Sequence, residues 1–161
     1  MRWSWTRFDD LGLRALYEIL ALRCRVFVLE QGPYLDPDGL DLCSWHLQGR
    51  DASGVLQAYL RAVEPGAKYA EPSIGRVLTA PEVRGRGLGR PLMQQGLHRC
   101  ALQWPGQAVR ISAQSRLQDF YASLGFATIG GEYLEDDIPH IEMLRLAPLV
   151  QGAAPQGEHA P

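Results

Sequence analysis

Arg84-Gly85-Arg86-Gly87-Leu88-Gly89 alternates glycine with larger residues just ahead of an apolar stripe with helical spacing. A helix N-terminus presents unpaired N–H groups and the positive end of the helix dipole, so it attracts anions, phosphate above all. Glycines at 85, 87 and 89 remove the Cβ atoms that would hold a pyrophosphate off those amides, while Arg84, Arg86 and Arg90 add positive charge. The plainer alternative is a tight solvated turn in which glycine supplies only flexibility. Spacing disfavours two other phosphate motifs. A Walker loop needs G-x-x-x-x-G-K-[ST], and neither lysine nor a hydroxyl residue opens this helix. A dinucleotide fingerprint needs G-x-G-x-x-G with a later acid, whereas this chain has G-x-G-x-G and reaches Gln103-Trp104-Pro105.

Two acidic stretches invite other chemistry. Asp36-Pro-Asp38-Gly39 follows the start of a calcium loop, but Leu47 stands where the closing glutamate belongs, so no metal site is expected. With Asp41 and the Glu135-Asp136-Asp137 turn, these acids read as solvated turns, steering of a cationic ligand being the alternative. Cys24, Cys43 and Cys100 lack C-x-x-C spacing and are odd in number, which argues against a disulfide framework and for small apolar packing in a cytoplasmic protein.

The elements that must position the loop follow from periodicity. A first strand over 2–8 precedes a helix over 11–28 capped by Asp9 or Asp10; strands near 43–50 and 55–63 form a hairpin. The strand 73–79 leads into the glycine loop and a helix ending at Pro105-Gly106. A buried strand begins at Val109. A short helix over 115–124 closes on Gly125 in the left-handed region, and two strands near 126–134 and 139–146 finish the chain. The order β-α-β-β-β-α-β-α-β-β implies an α/β or α+β layer fold with a mostly antiparallel sheet, turning parallel at the crossover through the glycine loop. With 161 residues, 46% of them hydrophobic, the chain suits one domain over 1–147, and the Gln151–Pro161 composition marks 148–161 as a flexible tail. A formal charge of −2 and a pI near 6.1 argue against a nucleic-acid partner. No apolar run of about 20 residues implies a membrane span.

Arg84 to Gly89 matches the acyl-CoA signature R/Q-x-x-G-x-G/A at every defined position, and Phe120-Tyr121-Ala-Ser-Leu-Gly125-Phe126 is similar to the second landmark of the same family. The chain thus resembles the GNAT superfamily of N-acetyltransferases. The likeness sharpens toward the ElaA-like branch through Arg23–Gln31, Pro33–Asp41, Ile74–Val77, Ala113-Gln114 and Ile138–Met143, covering nearly all of 3–146.

The resemblance implies a GNAT acyl-CoA N-acyltransferase fold, with a mixed sheet splayed at its centre and flanked by helices, and transfer of acetyl from acetyl-CoA to a primary amine. Val77, Leu78 and Thr79 are expected along the pantetheine arm, with an N–H near Leu78 polarising the thioester; residues 85 to 90 should hold the pyrophosphate, Arg84 and Gln114 standing beside the site. Tyr121 matches the family's proton donor to the departing thiolate, ordinary values being about 10 for the phenol and 8.5 for a thiol. Alternatively it is an amphipathic core residue. The amine must attack unprotonated, so a base among Glu30, His46, His140 and Glu142 is expected, directly or through water, the sequence choosing none. For either histidine alone, strand surface or satisfied core is the competing reading. The acceptor is a small-molecule or peptide amine and the assembly a monomer or homodimer. A non-catalytic acyl-CoA-binding sensor is the alternative function. Two departures stand out: Gln114 where many relatives carry Asn, and Pro91 in the first turn, which fits a helix beginning near Leu88.

Overall fold

Trp3 and Trp5 alternate with polar neighbours and form β1 (Arg2–Arg7), the edge of a seven-stranded sheet in the computed structural model, which describes residues 1–32 and 34–148. The expected tail therefore lies, apart from Pro148, outside the described residues. β1 pairs antiparallel with β2 (Ser44–Arg50), β2 with β3 (Leu56–Val63) and β3 with β4 (Ser73–Thr79). Beyond β4 come β5 (Val109–Gln114), β7 (Ile138–Arg145) and β6 (Ala127–Glu135), again antiparallel to one another. Only β4 and β5 run parallel, and one residue pair, Ser73 with Arg110, joins them. The sheet is mostly antiparallel and splits at its centre.

α1 (Leu13–Arg23) packs Ile19 and Leu22 on one face of the sheet, against Tyr59 and Leu78. It runs through a π-helical turn, Cys24–Val28, into α2 (Leu29–Gln31), so the expected single helix is three pieces. Its cap is Gly12, without a side-chain bond; Asp9 and Asp10 lie instead in a 3₁₀ turn, Phe8–Asp10, which corrects the expected aspartate cap. α3 (Gly89–Gln103) covers the other face, burying Leu92, Met93, Leu97 and Cys100 against Leu60 and Ile74. Gly96 makes that approach possible, since a Cβ there would stand 2.7 Å from Leu60 Cδ2. A 3₁₀ turn, Ser115–Leu117, opens α4 (Gln118–Ala122), and Gly125 follows at φ +88°, left-handed as expected.

The register of β3 on β4 shifts. Tyr59 faces Leu78 and Arg61 faces Gly75, so Arg76 and Val77 together oppose Leu60. This is a β-bulge with its first residue, Arg76, at φ +51°, a place usually held by glycine. One extra residue reverses side-chain parity. Ile74 consequently packs under α3 and Leu78 under α1, although four residues apart in a regular strand would put both on one face.

The cysteines are free, and only Cys100 is buried; Cys24 is exposed, so apolar packing does not describe it. Among the described residues no helix is long and apolar enough to cross a membrane, and no cluster of His, Cys, Asp or Glu is arranged to hold a metal ion.

Candidate active site

Because β5 diverges from β4, a cavity of about 740 Å³ opens between them. Val77, Leu78 and Thr79 line one side, Ser112 and Gln114 the other, and Tyr121 stands among the residues between. Beyond Ser73, backbone groups on that edge of β4 have no strand to pair with. They are open to a ligand that carries amides.

The glycine loop lies at the cavity's end, with Arg84 and Gly89 among its lining. Gly85 and Gly87 both adopt φ +74°, and where each would carry a Cβ nothing stands within 4 Å. The backbone of the loop is thus uncovered at both glycines. The first helical residues Gly89 and Arg90 precede the first intrahelical bond, from Leu92 N–H to Leu88 O at 3.1 Å, and Pro91 has no N–H to satisfy. Of the loop's arginines, Arg84 makes a two-armed pair with Glu30 at 2.9 and 3.0 Å, and Arg90 donates to Ser123 Oγ at 2.7 Å. Arg86 makes no ion pair among the described residues and is exposed.

Tyr121 is 7% exposed, packs edge-on against Phe120 and Phe126, and its hydroxyl makes no hydrogen bond among the described residues. Burial pushes its pKa up to about 12. The phenol is therefore a retained proton facing a cavity.

The four base candidates separate. His46 is fully buried on β2: its Nε2–H donates to Asp41 O at 3.1 Å and its Nδ1 accepts from the Tyr59 hydroxyl at 2.7 Å, so it is a satisfied core residue whose pKa burial lowers. It does not line the cavity. His140 does, and its Nδ1–H donates to Ile138 O at 2.8 Å, which leaves Nε2 as an open acceptor. Glu142 is held by Arg110 on the same polar face of β7, and lines an adjoining cavity of about 450 Å³ with Tyr69, Tyr133 and Glu135. Glu30 is spent on Arg84. Gln114 donates to Gln31 Oε1 at 3.2 Å and accepts from Arg116, fastening the tip of β5 to α2.

Sequence reasoning missed the buried charges beside the cavity. Asp36 Oδ2 accepts from Arg23 Nε and Oδ1 from Arg76 Nε, both at 2.8 Å; Arg61 grips Asp38 through two bonds of 2.7 Å; Asp41 Oδ1 accepts from Arg23 at 2.7 Å and Arg61 at 3.0 Å. Burial alone would raise the carboxylates' pKa values, but the guanidinium groups overcome it, holding Asp38 at about 2 and lowering Asp41. These acids are not solvated turns: Asp36 and Asp41 are buried, and all three lock the loop after α2 onto β3 and β4. Asp136 and Asp137 are the exposed turn residues expected, at φ +50° and +62°.

Residues 61–146 match the model of the acetyltransferase (GNAT) domain. A sheet wedged open beside an anion loop serves the class of enzymes that draw acyl groups from coenzyme A. The chain is 43% identical to an acyl-CoA N-acyltransferase from Pseudomonas aeruginosa, whose crystal structure superimposes with a TM-score of 0.85 over 89% of this chain and 98% of that one. Escherichia coli ElaA is 39% identical over 90% of this chain and 96% of that protein, and its structure gives a TM-score of 0.83. A UPF0039 protein from Synechocystis is 46% identical, over 92% and 97% of the two chains. The chain belongs to the GNAT acetyltransferase family, in its ElaA-like branch, and is an acyltransferase.

Proposed function

We propose that the chain transfers acetyl from acetyl-CoA directly to a primary amine, with the donor's arm along β4 and its diphosphate on residues 85 to 90. One observation carries this reading: the free edge of β4, both ends of the glycine loop at Arg84 and Gly89, and Tyr121 with its unpartnered hydroxyl all line one cleft.

The amine nitrogen attacks the thioester carbon, forming the N–C bond while charge gathers on the carbonyl oxygen, where an N–H near Leu78 stabilises it. Collapse breaks the C–S bond, and Tyr121 gives its hydrogen to the departing sulfur. Burial widens the gap between a phenol at about 12 and an ordinary thiol near 8.5. The same dry surroundings disfavour a thiolate, however: the buried thiol of Cys100 is pushed up to about 12 by the same cause. A dry cleft therefore favours protonation of the leaving sulfur. An alkylammonium with pKa near 10.4 costs about 4.6 kcal/mol to deprotonate at pH 7, so a base helps. His140 Nε2 carries a lone pair on a ring that makes no ion pair, which favours it over Glu30 and Glu142, each held by an arginine.

The test is CoA release, with acetyl-CoA, across a panel of ethanolamine, 1,4-diaminobutane, free lysine and short peptides. Acetylation of at least one amine is expected. Saturable CoA binding with no transfer to any of them would assign the chain to acyl-CoA sensing instead.

A further inference from the structure

We infer that Arg76 is a positioning residue for acyl transfer: clamped by Asp36, it holds β4 in the one-residue bulge that presents Val77 and Leu78 to the donor. The inference rests on the cleft being the acyl-donor site, and adds what fixes the geometry of its wall.

Three independent observations converge on this position. The pairing register of β3 and β4 slips by one residue at Arg76-Val77. Arg76 holds φ +51°, which an L side chain adopts only at a cost that glycine avoids. Finally, the side chain is fixed along its length. Its Nε donates to Asp36 Oδ1 at 2.8 Å, its NH2 group donates to Asp36 O at 3.1 Å, and the guanidinium lies 5.9 Å from the centre of the Phe27 ring. Asp36 is itself immobile, being 4% exposed and bonded to the fully buried Arg23. A left-handed arginine is thus bonded to a buried carboxylate that Arg23 also holds.

Parity shows what the clamp controls. Without the extra residue, Leu78 would turn from the α1 face to the α3 face, and the N–H and C=O groups of Val77 and Leu78 would exchange directions. The bulge is therefore what decides which amide meets the thioester carbonyl. Nothing in the grip on the diphosphate depends on it, since that grip belongs to residues 85 to 90.

Arg76→Gly and Arg76→Ala separate backbone from ion pair, because both lose the clamp but only glycine adopts a positive φ freely. Isotope-edited infrared spectra of [1-¹³C]acetyl-CoA bound to each protein read the carbonyl without any acceptor. In the wild type the bound carbonyl stretch should fall below its free value, Arg76→Gly should keep much of that shift, and Arg76→Ala should lose most of it. With the best amine of the panel, kcat should follow Arg, then Gly, then Ala, with Gly about fivefold above Ala. All three proteins should still bind CoA through residues 85 to 90, so kcat and the carbonyl shift should fall further than CoA affinity. Should Arg76→Ala fail to fold, Asp36→Asn, which keeps the volume and one acceptor oxygen, should show the same loss of carbonyl shift with CoA still bound. A folded variant set with wild-type carbonyl shift and kcat, and only a lower Tm, overturns the positioning role; so does alanine matching or exceeding glycine. A wild type that binds acetyl-CoA with no carbonyl shift removes the amide polarisation itself.

Discussion

Alanine at Gly87 separates the strain of the glycine loop from its grip on the donor, because a matched control exists elsewhere in the chain. Gly87 and Gly106 hold nearly the same backbone angle, φ +74° and +76°, and at both an added Cβ meets nothing within 4 Å. Substitution at either position therefore costs conformational preference alone, about 1 kcal/mol. For a domain of this size that lowers Tm by roughly 2–4 °C. Without ligand, Gly87→Ala and Gly106→Ala should melt together. Coenzyme A should part them. With the diphosphate placed as proposed, a methyl group at 87 would stand between it and the loop amides, and losing one charge-assisted hydrogen bond of about 1.5–3 kcal/mol would weaken binding roughly tenfold to a hundredfold. At 100 times its wild-type Kd, CoA stabilises the wild type by about 2.7 kcal/mol. Thermal shift and calorimetry should show Gly106→Ala keeping that gain and Gly87→Ala losing about half of it for a tenfold weaker Kd and most of it for a hundredfold one. Equal CoA affinity in the two variants would refute the placement of the diphosphate; unequal melting without ligand would refute the strain argument.

Tyr121→Phe should reduce kcat by about a hundredfold with CoA affinity unchanged, and unaltered turnover would remove the hydroxyl from the reaction. Stability should fall in two stages on acidification, read as urea midpoints between pH 8 and 2. The first begins below about 6.5, because burial lowers the pKa of His46 in the fold and the unfolded chain takes the proton first. The second runs from about pH 4 toward 2, as Asp38, held at about 2 in the fold, and Asp41 lose their charge. A flat profile across either window contradicts the corresponding assignment. Gly96→Ala places a methyl 2.7 Å from the fully buried Leu60 and should cost about 1–3 kcal/mol in denaturant unfolding, with kcat preserved in the folded fraction.

Local chemistry was legible in the sequence where it is local in the chain. The glycine loop, Pro91 in the first turn of α3 and Gly125 beyond α4 each stand within a few residues of what they do, and each lies where expected. The hairpin of β2 and β3 followed from alternation and β7 lies within a residue of its expected limits, while β5, expected as a short buried run from Val109 to Ser112, continues to Gln114. The bulge did not, because an arginine carries no signal for φ +51°; the reason for it lies 40 residues away at Asp36. The same distance hid the buried charges. Asp36, Asp38 and Asp41 have turn composition, and only the approach of β3 and β4 brings Arg61 and Arg76 over them. Likewise the merit of His140 over Glu142 depends on which lone pairs neighbours already use, and Arg110 reaches Glu142 from another strand.

The single pair in register, Ser73 with Arg110, leaves a four-stranded and a three-stranded half-sheet with little backbone stitching between them. An acyl donor laid in that wedge would act as a surrogate strand, its arm's amides bonding to edges that the protein leaves bare. His140 and Glu142 stand on one half, Val77 and Leu78 on the other, so only a loaded donor would brace the two against each other. Donor first and amine second would then be the productive order of arrival, imposed by mechanics as much as by recognition.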